Sequence, residues 1–211
     1  LTHLFLRSVT TSSPLIAKFL KANFEGLEIR ASVNMEIGTV QGMDYLADYF
    51  DSFYMCRDYN RNRQRILQLK SWCNVNGKKL FLLAKVVVNP AKQPNYLRDT
   101  NFNRPEDIAL YEKYFTVAKL ATRTSRNPVQ ILNAYLKGSY KGNVLELLEP
   151  NHSEAFYPAV VENGRILAEF GAHLLDCPKN CENCNYCKEI FHNAIVHLNK
   201  EISAYADNEM V

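Results

Sequence analysis

Four cysteines near the C-terminal end are the residues of this sequence whose types and spacing are best suited to chemistry. Cys177, Cys181, Cys184 and Cys187 follow the pattern C-x3-C-x2-C-x2-C within eleven residues. Thiolates this close together repel one another unless a metal ion, an iron–sulfur cluster or disulfide bonds neutralise them. The spacing therefore predicts a site for one of these groups.

The distribution of the four cysteines along the chain helps to choose among these groups. A structural zinc site usually takes its ligands from two separated C-x2-C pairs, whereas consecutive cysteines are typical of iron–sulfur segments. Disulfides are disfavoured because thiols stay reduced in the cytoplasm. We expect a 4Fe–4S cluster, with zinc as the alternative; His173 or His192 could replace one thiolate. The remaining interpretation is a reduced surface loop without metal.

A second group of candidates follows a predicted strand, in the segment Cys56-Arg57-Asp58-Tyr59-Asn60-Arg61. The carboxyl ends of parallel strands line the binding crevice of α/β folds, so side chains here are placed to bind a ligand. Arg57 and Arg61 could grip a carboxylate or phosphate, with Asp58 orienting one of them. Other predicted strand ends add Asn34, Arg123 and Arg126.

Together these strand-end residues predict a basic rim that binds a small anionic co-substrate or RNA phosphates. The alternative is structural: Asp58 caps the next helix, and the arginines are solvated side chains on loops. Residues 151–154, Asn-His-Ser-Glu, include hydrolase-type side chains, but the sequence has no G-x-S-x-G elbow, P-loop or G-x-G-x-x-G motif. Catalytic residues therefore stay unassigned.

The elements that must position these residues alternate along the first 140 residues. Short apolar runs predict strands over 4–6, 27–34, 53–56, 80–84 and 117–121. Helical spacing predicts helices between them, over 14–25, 43–50, 61–72, 104–115 and 129–136, with Pro14 and Pro128 in first turns. Residues 85–103 form an irregular connection, and a last helix is predicted over 188–204.

Strands that alternate with helices pair in parallel, so the predicted class is α/β. We expect a (β/α) TIM-type barrel that is incomplete at its N-terminal side, with a Cys-rich C-terminal appendage. The alternative is a five-stranded, doubly wound parallel sheet. The expected domains are a βα-repeat domain over 1–140 and a C-terminal extension over 141–211 with the four-Cys motif and a terminal helix.

The composition of the 211 residues bears on the size of the core, the kind of partner and the location of the protein. Apolar residues make up 47%, which suffices for a large core, and the net charge of +3 is too small to indicate a nucleic-acid partner by itself. The sequence has no apolar run of membrane-spanning length and no signal peptide, so we expect a cytoplasmic protein without a membrane partner. An incomplete barrel would expose strand edges, which predicts a homo- or hetero-oligomer.

Several short segments of the chain resemble the collagenase-like peptidase family U-32. The resemblance lies in residues 32–38 (Ser-Val-Asn-Met-Glu-Ile-Gly), 50–61 and 77–84, and it is shared by Arg-Pro-Glu-Asp at 104–107 and Lys-Leu-Ala-Thr-Arg at 119–123. The C-terminal C-x2-C-x-Tyr-C pattern is similar to one branch of that family. The resemblance spans most of the chain, although each motif is short.

The resemblance implies a (β/α) barrel, and the family name implies proteolysis. Better understood relatives resemble oxygen-independent hydroxylases that carry a 4Fe–4S cluster and draw oxygen from prephenate, acting on tRNA and rRNA bases or a quinone precursor. Family members often carry cysteines directly after the strand that matches 80–84, whereas here Ala84 is followed by Lys-Val-Val-Val. The number of metal sites therefore stays open.

Three hypotheses for function follow. The first is an iron–sulfur enzyme that modifies, by hydroxylation, RNA or a small aromatic molecule. The second is a protease of the collagenase-like family, which needs an activated nucleophile or a hydrolytic metal. The third is a non-catalytic, zinc-stapled module that binds RNA or a protein.

Overall fold

The computed structural model describes residues 6–84, 101–122, 125–149 and 151–198. The chain divides into two compact units. Leu1–Ala84 and Leu110–Lys119 make the first, and Lys85–Ala109 and Leu120–Val211 make the second. This division describes packing alone, and the domain boundary predicted near residue 140 stays a prediction.

The first unit is an α/β structure built on a parallel sheet. Its elements are β1 (Ser8–Thr11), α1 (Pro14–Asn23), β2 (Glu28–Ala31), α2 (Val40–Leu46), β3 (Ser52–Tyr54), α3 (Arg63–Val75), β4 (Lys79–Leu83) and β5 (Ala118–Lys119). The five strands are all parallel and neighbour one another in chain order. The parallel α/β class expected from the alternating pattern is confirmed.

Local sequence explains where the helices of this unit begin. The Ser13 hydroxyl accepts the Ile16 N–H at 3.3 Å directly before α1, and Pro14 occupies the first turn. Asn62 caps α3 in the same way by accepting the Arg65 N–H at 2.9 Å. Helix starts at Pro14 and Arg63 therefore follow from residues adjacent in sequence.

The first strand lies further along the chain than predicted. Residues 4 and 5 of the expected strand lie outside the described residues, and Leu6 is 66% exposed. The observed β1, Ser8–Thr11, pairs in register with β2, Glu28–Ala31. The strand forms at the β-branched residues that follow the apolar run, because such side chains suit a half-buried pleated surface.

The two faces of the sheet differ in chemistry. In a parallel sheet, residues in register point to the same face, and successive residues alternate between faces. Arg30 is in register with Ser52, Ser52 with Lys79, and Leu83 with Lys119. One face, which we name the polar face, therefore carries Glu28, Arg30, Ser52, Tyr54, Lys79, Phe81, Leu83 and Lys119. Ser52, Tyr54, Phe81 and Leu83 are buried, so the charged side chains form the outer part of this face.

The opposite face is apolar and carries the helices. Phe53 and Leu80 are in register and fully buried, and the Phe53 ring meets Trp72 of α3 edge-on with centroids 5.8 Å apart. Leu69 and Cys73 of the same helix are also fully buried. Right-handed crossovers in a sheet of sequential order put all the helices on one side. The polar face is consequently left uncovered by α1, α2 and α3.

The second unit packs short elements around one apolar core. They are α4 (Pro128–Lys137), β6 (Ala159–Val161), α5 (Phe170–Leu175), α6 (Tyr186–Ala194) and β7 (Ile195–His197). Buried members of the core include Phe102, Val144, Leu148, Phe170 and Phe191. Asn127 caps α4 by accepting the Gln130 N–H at 3.0 Å, and Gly138 ends it in the left-handed conformation with φ 61°.

The predicted α-helix over 104–115 is instead a 3-10 helix, Pro105–Leu110. Side chains three residues apart eclipse in a 3-10 helix, which suits the bidentate pair between Arg104 and Asp107, with N–O distances of 3.0 and 2.9 Å. Both side chains are buried, and Arg104 also donates to the Leu167 carbonyl at 3.2 Å. Part of the family-like motif at 104–107 therefore holds the second unit together.

The C-terminal helix is shorter than predicted. The helix expected over 188–204 is observed as α6, Tyr186–Ala194, after which Ile195–His197 pairs antiparallel with Ala159–Val161. The β-branched Ile195 and Val196 favour this pairing over continued helix. Residues 199–204 of the predicted helix lie outside the described residues. Among the described helices, none has the length and apolar character needed to cross a membrane.

Candidate functional site

The cysteine segment, residues 177–187, connects α5 to α6 in the second unit. Cys177 follows the end of α5, where its N–H donates to the Leu174 carbonyl at 3.4 Å, and Cys187 is the second residue of α6. Cys181 and Cys184 are exposed, Cys177 and Cys187 are half-buried, and none of the four forms a disulfide. A metal or a redox partner can therefore reach the segment from solvent.

Both ends of the segment are fixed to the same core by Tyr186. This first residue of α6 stacks on His173 of α5 with ring centroids 3.8 Å apart, and it lies nearly parallel to Phe170 at 6.2 Å. Burial, with the neighbouring carboxyl of Glu169, raises the pKa of Tyr186. The stack holds the start of α6 against α5, so the segment is a closed loop rather than a free tail.

Turns inside the segment shape the backbone around the thiols. The Lys179 N–H donates to the Cys177 sulfur at 3.4 Å, and Lys179 itself has a φ of 58°. A second turn, over residues 180–183 and containing Cys181, is closed by the Asn183 N–H donating to the Asn180 carbonyl at 3.3 Å. N–H groups directed at sulfur stabilise bound thiolates, and the N-terminus of α6 adds a favourable dipole for negative charge.

The four thiols have the chemistry of a metal site, but their positions are not those of an assembled one. Four accessible thiols on one loop are the ligand chemistry of a 4Fe–4S cluster or of zinc. However, in the part of the chain that the structure describes, no three His, Cys, Asp or Glu side chains come together as a metal-binding group. His173 and His192 are both exposed, and His173 lies against Tyr186. The donor chemistry fits, and binding requires the loop to close around the group.

The strand-end residues of the first unit lie on two neighbouring turns. Asn34 is exposed in a 3-10 turn directly after β2, and Arg57 and Asp58 lie in another directly after β3. The turns are joined because the Cys56 N–H donates to the Ile37 carbonyl at 2.9 Å. Arg57 is 3.9 Å from the carboxylate of Glu36 across the same junction. Three of the predicted ligand-binding residues thus share the carboxyl edge of adjacent strands.

Arg61 follows these turns but points inward. The Asn60 side chain donates to the Leu83 carbonyl at 2.7 Å, which ties the segment to the end of β4. This bond draws the chain under the edge, and Arg61 is only 4% exposed. A buried guanidinium is held by interactions within the protein, so a ligand at the rim meets Arg57 before Arg61.

The remaining predicted rim residue that the structure describes, Arg126, belongs to the second unit. It precedes α4 and forms an exposed ion pair with Glu154. Arg123 lies outside the described residues. The proposed ligand roles of these arginines and of Asn34 and Asp58 stay predictions.

The hydrolase-type residues at 151–154 do not form a nucleophile–base pair. His152 is 2% exposed and packs edge-on against Phe156 at 6.5 Å. The Ser153 hydroxyl donates to the Asn151 side-chain oxygen at 2.8 Å, and Glu154 pairs with Arg126. These side chains are used within the second unit, in agreement with leaving them unassigned.

Sequence reasoning missed the charges on the polar face. The available signal was the period-two alternation Glu28-Ile29-Arg30-Ala31, in which every second residue is charged. Lys79 and Lys119 join them only through strand register, which no local pattern reveals.

Comparison with known proteins gives one partial relationship. Over 109 residues the chain is 32% identical to a protein of Methanocaldococcus jannaschii named as an uncharacterized protease. The match covers 49% of this chain and 31% of the length of that relative. No family model matches the chain, and no solved structure matches it.

Proposed function

We propose that this chain belongs to a collagenase-like protein of the U-32 type whose cysteine segment holds a 4Fe–4S cluster. We further propose that the protein is an enzyme that hydroxylates RNA or a small aromatic molecule. When bound, such a cluster supplies one-electron redox chemistry. The residues proposed to hold it are Cys177, Cys181, Cys184 and Cys187.

The observation that carries this proposal is the state of the cysteine segment. None of its four cysteines forms a disulfide, two of them are exposed and two are half-buried, and its two ends are held against one core through Tyr186. A loop with fixed ends pays less conformational entropy on closing around a ligand than a free tail does.

A second part of the proposal is that the sheet is a section of a (β/α) barrel. Doubly wound sheets reverse their strand order at a switch point and bury both faces under helices. The five strands here run in sequential order, and one face is charged. A polar face turned toward the inside of a barrel accounts for both observations. The strands that would complete such a barrel stay a prediction.

The protease alternative is favoured by the name of the partial relative. The thiols of the first unit do not support a cysteine protease, because burial raises the pKa of Cys56 and raises that of Cys73 to about 11. A catalytic thiol needs the opposite shift. His152 is 2% exposed and packs edge-on against Phe156, which keeps it from solvent.

The test is metal analysis of the full chain purified without oxygen. We expect a brown protein with broad visible absorption and roughly four irons per chain. Cys181→Ser and Cys184→Ser should each lower the iron content, whereas Glu182→Ser, an exposed change on the same loop, should not. Equal iron in all four proteins would refute ligation by this segment.

Two other results would favour one of the alternative functions instead. One zinc per chain in a colourless protein would favour the zinc-stapled binding module. A protein without either metal that cleaves unfolded peptide substrates would favour the protease. Either result would overturn the iron–sulfur assignment.

A further inference from the structure

The polar face of the sheet carries more positive than negative charge. The Glu28 carboxylate pairs with both neighbouring cations, at 2.6 Å from Arg30 and 3.2 Å from Lys79. These two hydrogen-bonded cations, against the opposing cost of burial, hold the pKa of Glu28 below its ordinary value. One carboxylate thus faces two cations, and Lys119 adds a third positive charge.

An aromatic pair lies between these cations. The rings of Tyr54 and Phe81 are 5.2 Å apart and meet edge-on. The Arg30 guanidinium lies 5.1 Å from the Phe81 centroid, and the Lys119 ammonium lies 5.4 Å from the Tyr54 centroid. The two cations therefore lie against one aromatic pair, which orients them. The Arg30 Nε and Nη2 atoms also donate to Glu28, at 3.2 and 2.6 Å.

A buried hydroxyl marks the same surface. Ser52 lies in register between Arg30 and Lys79 and is 0% exposed. Within the described residues, its side-chain oxygen has no hydrogen-bond partner. Buried polar groups are nearly always hydrogen-bonded, and parallel sheets usually present apolar residues on both faces. Ser52 itself lies beneath the surface, so a ligand would meet the partly exposed Arg30 and the exposed Lys119 instead.

We propose that this surface, between Arg30 and Lys119, binds a small ligand that carries a carboxylate or phosphate group. Two nitrogens of Arg30 already bind Glu28, so an anion would be met by the remaining N–H groups of the guanidinium, and Lys119 supplies a second, more mobile charge. An anion here balances the excess positive charge. The proposal concerns the first unit alone and does not depend on the cysteine segment or on its metal.

Binding is tested with the full chain by isothermal titration, using inorganic phosphate and citrate as separate probes at constant ionic strength. We expect saturable binding of at least one probe. Arg30→Gln should weaken it by about tenfold or more, because a hydrogen bond between a charged donor and an anion is lost. Lys119→Gln, which removes an exposed charge, should weaken it by about two- to fivefold.

Lys113→Gln is the matched control. Lys113 is an exposed lysine of the same unit, 5.0 Å from the centroid of the Tyr114 ring, and it is not part of the sheet. This change should leave the affinity unaltered. If Arg30→Gln unfolds, Arg30→Lys keeps a positive charge beside Glu28 but loses the planar fork, and it should still weaken binding. Absence of saturable binding, or equal affinities of wild type and Lys119→Gln, would overturn the proposal.

Discussion

The buried pair of Arg104 and Asp107 predicts the largest stability effect of a single substitution. Both side chains are nearly inaccessible, with exposures of 2% and 5%, and they are joined by two hydrogen bonds. Replacing Asp107 with alanine leaves the guanidinium buried without a carboxylate, beside the carbonyls of Ile166 and Leu167 at 3.5 and 3.2 Å and the Phe170 ring at 5.4 Å. Removing one partner of a buried ion pair costs about 3–5 kcal/mol.

The magnitude is measured by urea unfolding followed by circular dichroism. With a denaturant slope of about 2 kcal/mol/M, a loss of about 4 kcal/mol lowers the unfolding midpoint by about 2 M. Hydrogen exchange of peptides from the second unit should show the same loss of protection. The double variant with Arg104→Met also removes the stranded charge, so it should be more stable than Asp107→Ala alone, with a coupling of about 2 kcal/mol.

Glu162→Ala provides the matched control. Glu162 pairs with Arg165 at 2.5 Å with the same three-residue spacing and in the same unit, but the two side chains are 45% and 53% exposed. An exposed pair contributes less than about 1 kcal/mol. If Asp107→Ala moved the midpoint no more than Glu162→Ala does, burial would not be the source of the pair's contribution, and the reasoning would fail.

Two further predictions concern the first unit. A methyl group on Gly38 would lie 2.2 Å from the Tyr59 ring, so Gly38→Ala should cost about 1–3 kcal/mol in the same urea assay. Gly164→Ala, with nothing within 4 Å, should change stability by less than about 0.5 kcal/mol, and equal effects would contradict the predicted clash. Burial raises the pKa of Cys73 from 9.0 to about 11, so between these values the unfolded chain binds fewer protons than the folded one. Stability should therefore be full below pH 9.0 and decline toward about pH 11, and Cys73→Ala should flatten that decline; an unchanged profile would refute the assignment.

Local signals predicted those parts of the fold that depend on neighbouring residues. Ser13, Asn62 and Asn127 each accept the first N–H groups of their helices, and such caps act within three residues. Apolar runs at 53–56 and 80–84 also marked β3 and β4, because fully buried parallel strands are apolar over their length. These features need no knowledge of distant chain segments.

Other parts depended on contacts that no local pattern contains. Ile195 and Val196 were predicted to be helical, but they pair with strand β6 instead. Residues 105–110 form a 3-10 helix instead of the predicted α-helix, and Arg104 beside it donates to carbonyls more than sixty residues away, at Ile166 and Leu167. Arg61, expected on the rim, is buried where Asn60 binds the end of β4.

The candidate sites divide in the same way. By itself the sequence determined the four thiols and their spacing, since ligand type and separation are covalent properties of the chain. Only the tertiary structure decided that Tyr186 clamps their loop to one core, and that Arg30, Lys79 and Lys119 share one face of the sheet. The physical reason is strand register: a shift of one residue would send each of those charges to the opposite face, and register is set by pairing between distant segments.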